Sequence, residues 1–185
     1  MAFTALATPH RFTVDEYHRM AEVGLLGEDD RVELLEGEII DMSPIGSRHA
    51  ACVNRLTRLL ATGLGDRAIV AVQNPVRVSD LSEPQPDLAV LRARDDFYAE
   101  QLPGPADVLL LIEVADTSLA FDRHVKVPLY ARAGVPEVWV VDLDGEVVEV
   151  IRGPGPEGYA DAARAGRHES LAAAGVSVTA AEILG

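Results

Sequence analysis

A single cysteine, Cys52, stands in a chain of 185 residues, so no disulfide can form within it. No apolar run approaches the roughly 20 residues that a bilayer-spanning helix needs. The stretch Met1 to His10 lacks the basic start and apolar segment of a secretory leader. These absences lead us to expect an intracellular, cytoplasmic protein with no membrane partner. Basic residues are also scarce: 16 Lys and Arg face 30 Asp and Glu, for a formal net charge of -14. That excludes broad, sequence-blind attraction to nucleic acid, which needs Lys and Arg to displace counterions. It leaves open a local contact, because a cation held by carboxylates reverses the field around it. Arg55, Arg58 and Arg67 are candidates for a basic stripe beside such a site, and would equally make a solvated helix face. Also absent are a Gly-x-Ser-x-Gly elbow, a Walker loop, a dinucleotide fingerprint and a Cys/His zinc pattern. Gly153-Pro154-Gly155-Pro156 is rich in glycine, but its prolines lack the N–H groups of a phosphate cradle, and it is predicted to be a loop.

What is present suits one α/β domain, with 48% apolar and 25% charged residues. Thr13-Val14-Asp15-Glu16 has the form of a capping box and predicts a short helix ending near Gly24 or Gly27. Arg31 to Met42 reads as a hairpin turning at Glu36-Gly37. From Ser47 to about Leu64 the apolar period is helical, with His49, Val53, Leu56 and Leu60 on one face. Strands are expected near Ala68–Val72, Val76–Val78 and Pro86–Leu91. Val108 to Ala115 is an almost unbroken apolar run, as in a central strand covered on both faces. Leu119 to Ala133 predicts a helix stopped by Gly134. Strands at Val135–Asp142 and Val147–Ile151 follow, then a strand or two and a helical turn around Ala180–Leu184. The expected architecture is a mixed sheet with helices packed on it.

Three residues break this apolar pattern. Glu113 interrupts the central strand, where an unpaired carboxylate would be strongly disfavoured, so it must hold a proton, a cation or a metal. Asp87 opens an apolar strand directly after Pro86. Alternation puts Asp87, Ala89 and Leu91 on one face, and Leu109, Leu111 and Glu113 on one face. If the two strands are neighbours, the carboxylates converge at their ends, and such oxygen donors suit Mg²⁺ or Mn²⁺. Lys126 is spaced with Asp122 and Tyr130 at i, i+4 and i+8 on the helix after the Glu113 strand. Its ammonium can reach two carboxylates, steady a phosphate or assist deprotonation of water. Each also has a plainer reading: a buried ion pair for Glu113, a turn residue for Asp87, a surface pair with Asp122 for Lys126. His49 is on an apolar stripe, where a histidine is commonly a satisfied core group. Glu33 and Glu38 flank the hairpin turn and can face either solvent or the site.

Taken in order, the segments Arg31-Val-Glu-Leu-Leu-Glu-Gly-Glu-Ile, Met42-Ser-Pro-x-Gly-x-x-His49, Gln85-Pro-Asp87-Leu-Ala-Val, Leu111-Ile-Glu113-Val-x-x-x-Ser118 and Asp122-x-x-x-Lys126-x-x-x-Tyr130-x-x-x-Gly134-Val-x-Glu-Val-Trp139-x-Val-Asp142 resemble the Uma-two family, grouped with the PD-(D/E)XK nucleases. The resemblance runs from about residue 12 to 151. It implies a restriction-endonuclease-like core of helix, three strands, helix and strand, with an added N-terminal helix and β-hairpin. The expected domain is 1–185, with 152–185 as a C-terminal extension. It further implies that Asp87, Glu113 and the backbone carbonyl of Val114 hold Mg²⁺ or Mn²⁺ for phosphodiester hydrolysis, the substrate being nucleic acid, DNA first. His49 and Glu38 match family positions near the site. The superfamily lysine, two residues after the acidic one, falls on Ala115 here, and the matching lysine is Lys126 on the next helix. A catalytically silent binding or assembly module is the alternative this departure raises. A homodimer is also implied, for which the Arg31–Met42 hairpin or the late strands could supply an edge.

Overall fold

The computed structural model describes residues 8–27 and 29–185. Most of the N-terminal stretch expected to carry no leader, residues 1–7, lies outside these. Thr13 caps α1 (Val14–Glu22): its hydroxyl accepts from the Glu16 N–H while the Glu16 carboxylate accepts from the Thr13 N–H, closing the expected capping box. The hairpin β1 (Val32–Leu35) and β2 (Glu38–Asp41) pairs Leu35 with Glu38 across Glu36-Gly37. Gly37 sits at φ 79, where a side chain would press on the Arg11 backbone.

α2 (Ser47–Leu64) leads into β3 (Ala68–Val72), β4 (Leu88–Arg92) and the central β5 (Val108–Ala115). The rod after β5 is built of α3 (Leu119–Phe121), a π-helical turn (Asp122–Lys126) and α4 (Val127–Ala133). The strands β6 (Glu137–Asp142), β7 (Val147–Gly155) and β8 (Gly158–Gly166) complete a six-stranded sheet of order β3-β4-β5-β6-β7-β8. Only β5 and β6 run parallel, joined by the α3–α4 crossover. A small hairpin, β9 (Ser170–Ala173) and β10 (Val176–Thr179), and α5 (Ala180–Leu184) close the chain.

The two faces of the sheet carry two cores. Leu110, Ile112 and Val114 of β5 pack toward Leu56 and Leu60 of α2. Leu111 and Ala115 face the other way, with Leu129 and Tyr130 of α4. This two-sided cover explains the continuous apolar run of β5, and alternation puts Glu113 on the α4 side.

Four expectations need correction. Val76–Val78 is not a strand. Its N–H groups meet Pro84 and Ser82 carbonyls in a loop, where Pro84 and Pro86 have no N–H to extend a ladder. β4 begins at Leu88, so Asp87 precedes the strand, its backbone carbonyl accepting from Gln73. The helix expected over Leu119–Ala133 is widened at Asp122–Lys126, where the Val127 N–H reaches the Asp122 carbonyl. Pro128 cannot donate to His124 and would crowd its carbonyl in a regular α-helix, and the wider turn accommodates this. Gly153-Pro154-Gly155 is not a loop: it ends β7, with Pro154 opposite Tyr159 and Gly155 opposite Gly158.

Candidate metal centre

Register brings the two acidic residues together. β4 is antiparallel to β5 with Leu88 opposite Ile112, so Asp87, one step earlier, arrives beside Glu113 and Val114. The Val114 N–H donates to Asp87 Oδ2 at 2.8 Å. On Oδ1, Asp87 meets His49 Nε2 at 2.9 Å and the amide of Gln73 at 3.3 Å. His49 belongs to the first turn of α2, one turn before Val53, Leu56 and Leu60, and unlike them it is only partly buried. The bond to Asp87 raises the His49 pKa against the opposing effect of burial, and the Val114 carbonyl adds to the rise.

Glu113 is 2% exposed. Burial drives its pKa well above the ordinary carboxyl range; Lys126 opposes this, while Asp122 and Asp87 add to it. The Tyr130 hydroxyl donates to Glu113 Oε1 at 2.6 Å. Lys126, also buried, places Nζ 3.1 Å from Glu33 Oε2 and 3.4 Å from Glu113 Oε1. Burial alone would lower its pKa, but Glu113, Glu33 and Asp122 outweigh it and hold Lys126 protonated. The Gln85 N–H fixes Glu33 at 3.0 Å, and Ser118 Oγ donates to Asp122 Oδ2 at 2.6 Å.

All of these except Tyr130 and Val114 line a cleft of about 480 Å³. Its carboxylates are Glu33, Asp41, Asp87, Glu113, Asp116 and Asp122, against the cations Arg31 and Lys126 and the His49 ring. Asp87, Glu113, Lys126 and His49 thus share one cavity. Glu38 does not: it is exposed on the hairpin and pairs with Arg11 at 2.9 Å. Glu33 reaches the cleft in its place: the two share a face of the hairpin, but Glu38 is beside the turn while Glu33 sits two residues further back along β1. Gln85 stood in the sequence only as the residue opening the Pro86-Asp87 segment, and Gln73 carried no signal as an isolated polar residue. Arg55 and Arg67 are occupied elsewhere, Arg55 on the Ile183 and Leu184 carbonyls of α5 and Arg67 on the Gly63 and Leu64 carbonyls of α2. Arg58 remains exposed.

Among the described residues, no three His, Cys, Asp or Glu side chains are grouped to hold a metal ion. The expected set needs only two such side chains, Asp87 and Glu113, with the Val114 carbonyl as third donor. All three donors are oxygens, as a hard divalent cation prefers. His49 pairs with Asp87, and Lys126 with Glu113. The donor set therefore fits Mg²⁺ or Mn²⁺.

A mixed sheet whose α2-β3-β4-β5-α3/α4-β6 core carries an acidic cleft at the β4–β5 end defines the restriction-endonuclease-like class. Within it, the chain belongs to the Uma2 family, described as "Putative restriction endonuclease", whose profile matches residues 14–180. The crystal structure of a "putative nuclease belonging to DUF820" from Anabaena variabilis ATCC 29413 is similar in fold. Its TM-score is 0.73 at 16% identity, covering 94% of this chain and 97% of that one. No curated protein matches this chain in sequence. Among the described residues, no helix is long and apolar enough to cross a membrane.

Proposed function

We propose that the chain is a Mg²⁺- or Mn²⁺-dependent endonuclease that hydrolyses phosphodiester bonds of nucleic acid, DNA first, as one domain over residues 1–185. The observation that carries this reading is the meeting of Asp87, Glu113, His49 and Lys126 in one acidic cleft of a nuclease-type fold. Asp87, Glu113 and the Val114 carbonyl would hold the cation. When bound, the cation supplies Lewis-acid polarisation of the phosphate and acidifies water at neutral pH.

The chain's own groups set the rest. His49 orients Asp87 through Oδ1, leaving Oδ2 on the Val114 N–H. Tyr130 fixes the Glu113 carboxyl. Lys126, held by Glu33, presents a fixed positive charge where a phosphate oxygen or a deprotonating water would sit. Burial of Glu113, Lys126 and Tyr130 keeps bulk water from weakening these interactions.

Calorimetric titration with Mn²⁺ and cleavage of plasmid, single-stranded DNA and RNA test the proposal together. Asp87→Ala and Glu113→Ala are expected to abolish both Mn²⁺ uptake and chelator-sensitive cleavage. Unchanged metal affinity in both variants defeats the site assignment. Ala115 at the strand position of the superfamily lysine supports a second reading, a silent binding or assembly module. Mn²⁺ uptake without cleavage of any of the three substrates would favour it.

A further inference from the structure

The metal donors share their cleft with an apolar wall. Ile40, Met42, Pro44, Ile45 and Phe121 line the same cavity as Asp87, Glu113 and Lys126. Ile40 belongs to β2, the next three to the segment joining β2 to α2, and Phe121 to α3. Ile40 and Phe121 also pack against the core on the α4 side of the sheet, which holds them in place. Ile45 stays 42% exposed. These side chains offer no oxygen to a hard cation, so holding the metal does not account for them. A group that reaches the metal nonetheless enters the cavity they line.

Positive charge in the cleft is sparse. Lys126 is the only lysine of the chain, and among the described residues Arg31 is the only arginine lining the cavity. Arg31 is exposed and donates to the Ser43 carbonyl at 3.3 Å, one long bond from a group with five donors. Arg48, next to His49 on α2, is spent on Asp116 and Asp144. Arg55 and Arg67 hold backbone carbonyls. A duplex carries one charge per about 1.7 Å of axis and is commonly gripped by roughly 6–10 phosphate contacts. Two cations among six carboxylates cannot supply that grip. A single strand needs less of it. Its bases are unpaired, and their stacking on aromatic side chains contributes affinity that owes nothing to net charge.

We infer that the cleft takes an unpaired nucleotide of a single-stranded nucleic acid, with Phe121 as the platform on which a base stacks and Arg31 on a neighbouring phosphate. The inference rests on the nuclease reading for the phosphodiester at the metal, and adds the strand state of the substrate. Three observations converge on it. The apolar wall and the metal donors belong to one cavity, so a phosphate at Asp87 and Glu113 brings its sugar and base among Met42, Ile45 and Phe121. A volume of about 480 Å³ is that of a small-ligand pocket, roughly 300–1,000 Å³, and not of a channel running along a duplex. A chain of net charge -14 repels the dense charge of a duplex more than that of a single strand. Every base has a ring face to offer Phe121, so the recognition tolerates sequence, and single-stranded DNA and RNA share its chemistry.

Fluorescence anisotropy of short end-labelled strands tests the inference, with Ca²⁺, which also takes oxygen donors, in place of Mn²⁺. The arms are a thymidine strand, a uridine strand and a DNA duplex of equal length. One or both single strands are expected to bind roughly tenfold or more tighter than the duplex, the tighter of the two telling DNA from RNA. Their log K should fall with log salt at a slope of about -1.4, that of two phosphates on a single strand. Phe121→Leu keeps an apolar side chain without a ring face and is expected to weaken strand binding roughly tenfold, while Phe121→Tyr retains it. Arg31→Gln is expected to bring the slope to about -0.7. Mn²⁺ calorimetry on each variant checks that the metal centre is intact. Duplex bound as tightly as single strand, a slope steeper than about -4, Phe121→Leu binding like the wild type, or no strand binding at all would overturn the inference. Cleavage that prefers duplex would overturn it and leave the nuclease reading standing. Strand binding without cleavage would support it while the nuclease reading fails.

Discussion

Replacing Lys126 by Met removes a buried ammonium while nearly keeping its length. Lys126 is 5% exposed and lies between Glu33 at 3.1 Å and Glu113 at 3.4 Å. Without it, two buried carboxyls lose their common cation. Breaking a buried pair on one side typically costs about 3–5 kcal/mol. For a domain of this size that is a fall in Tm of roughly 10 °C. The pH dependence separates this cause from lost packing. Burial already raises the Glu113 pKa, and Lys126 is the first group opposing the rise, so its removal pushes Glu113 higher. The folded state then binds the Glu113 proton more tightly than the unfolded chain does. Stability is retained below the unfolded carboxyl value and lost as pH rises toward the folded one. The deficit of Lys126→Met relative to wild type is thus expected to be larger at pH 8 than at pH 5 in urea denaturation. Adding Glu113→Gln should recover part of it at pH 8, the two positions being coupled. A deficit under about 1 kcal/mol, or one equal at both pH values, refutes the reasoning, since either would mean that no charge is stranded.

Metal uptake should carry the same proton. Because burial keeps Glu113 protonated above the ordinary carboxyl range, Mn²⁺ binding there is expected to release a proton and tighten as pH rises, measurable by calorimetry in buffers of different ionisation enthalpy. Thr13→Ala removes the α1 cap and is expected to destabilise the chain by about 1 kcal/mol, read by urea denaturation. Gly37→Ala places a methyl 2.6 Å from Arg11 Cβ at φ 79 and is expected to cost about 1–3 kcal/mol; a neutral result would show that the Arg11 segment yields freely.

The most legible parts of the fold were those where one local rule acts alone. The capping box of Thr13, the period of Ser47–Leu64 and the double-faced apolar run of Val108–Ala115 each have a single explanation in sequence, and each forms as read. Val76–Val78 misled because β-branched residues satisfy strand propensity whether or not a partner strand can donate in return. Gly153-Pro154-Gly155 misled in the opposite direction, since glycine and proline are tolerated at a hairpin end. The cleft followed the same division. Glu113 was marked by its own cost of burial, and Asp87 by its place at the strand's start. Glu33 could not be separated from Glu38 because the two share a face of the hairpin, and which end of that face meets the cleft depends on packing against the 79–85 loop, where the Leu34 carbonyl accepts from Glu83. Gln85 and Gln73 act through one hydrogen bond each to a carboxylate, and no pattern in a single chain marks that.

The π-helical turn before Pro128 has a further effect on the angular position of side chains. In a regular α-helix, residues four apart are offset by about 40° around the axis, and residues eight apart by about 80°. Asp122, Lys126 and Tyr130 would then fan out, and only one of them could aim squarely at Glu113. The wider turn absorbs an extra residue and reverses the drift over its span, bringing the three azimuths back toward a common direction. Removing one of the residues between Asp122 and Lys126 would preserve a helix and all three of these side chains, yet rotate Lys126 and Tyr130 out of alignment with Asp122. The chemistry of the cleft is set here by screw geometry as much as by residue identity.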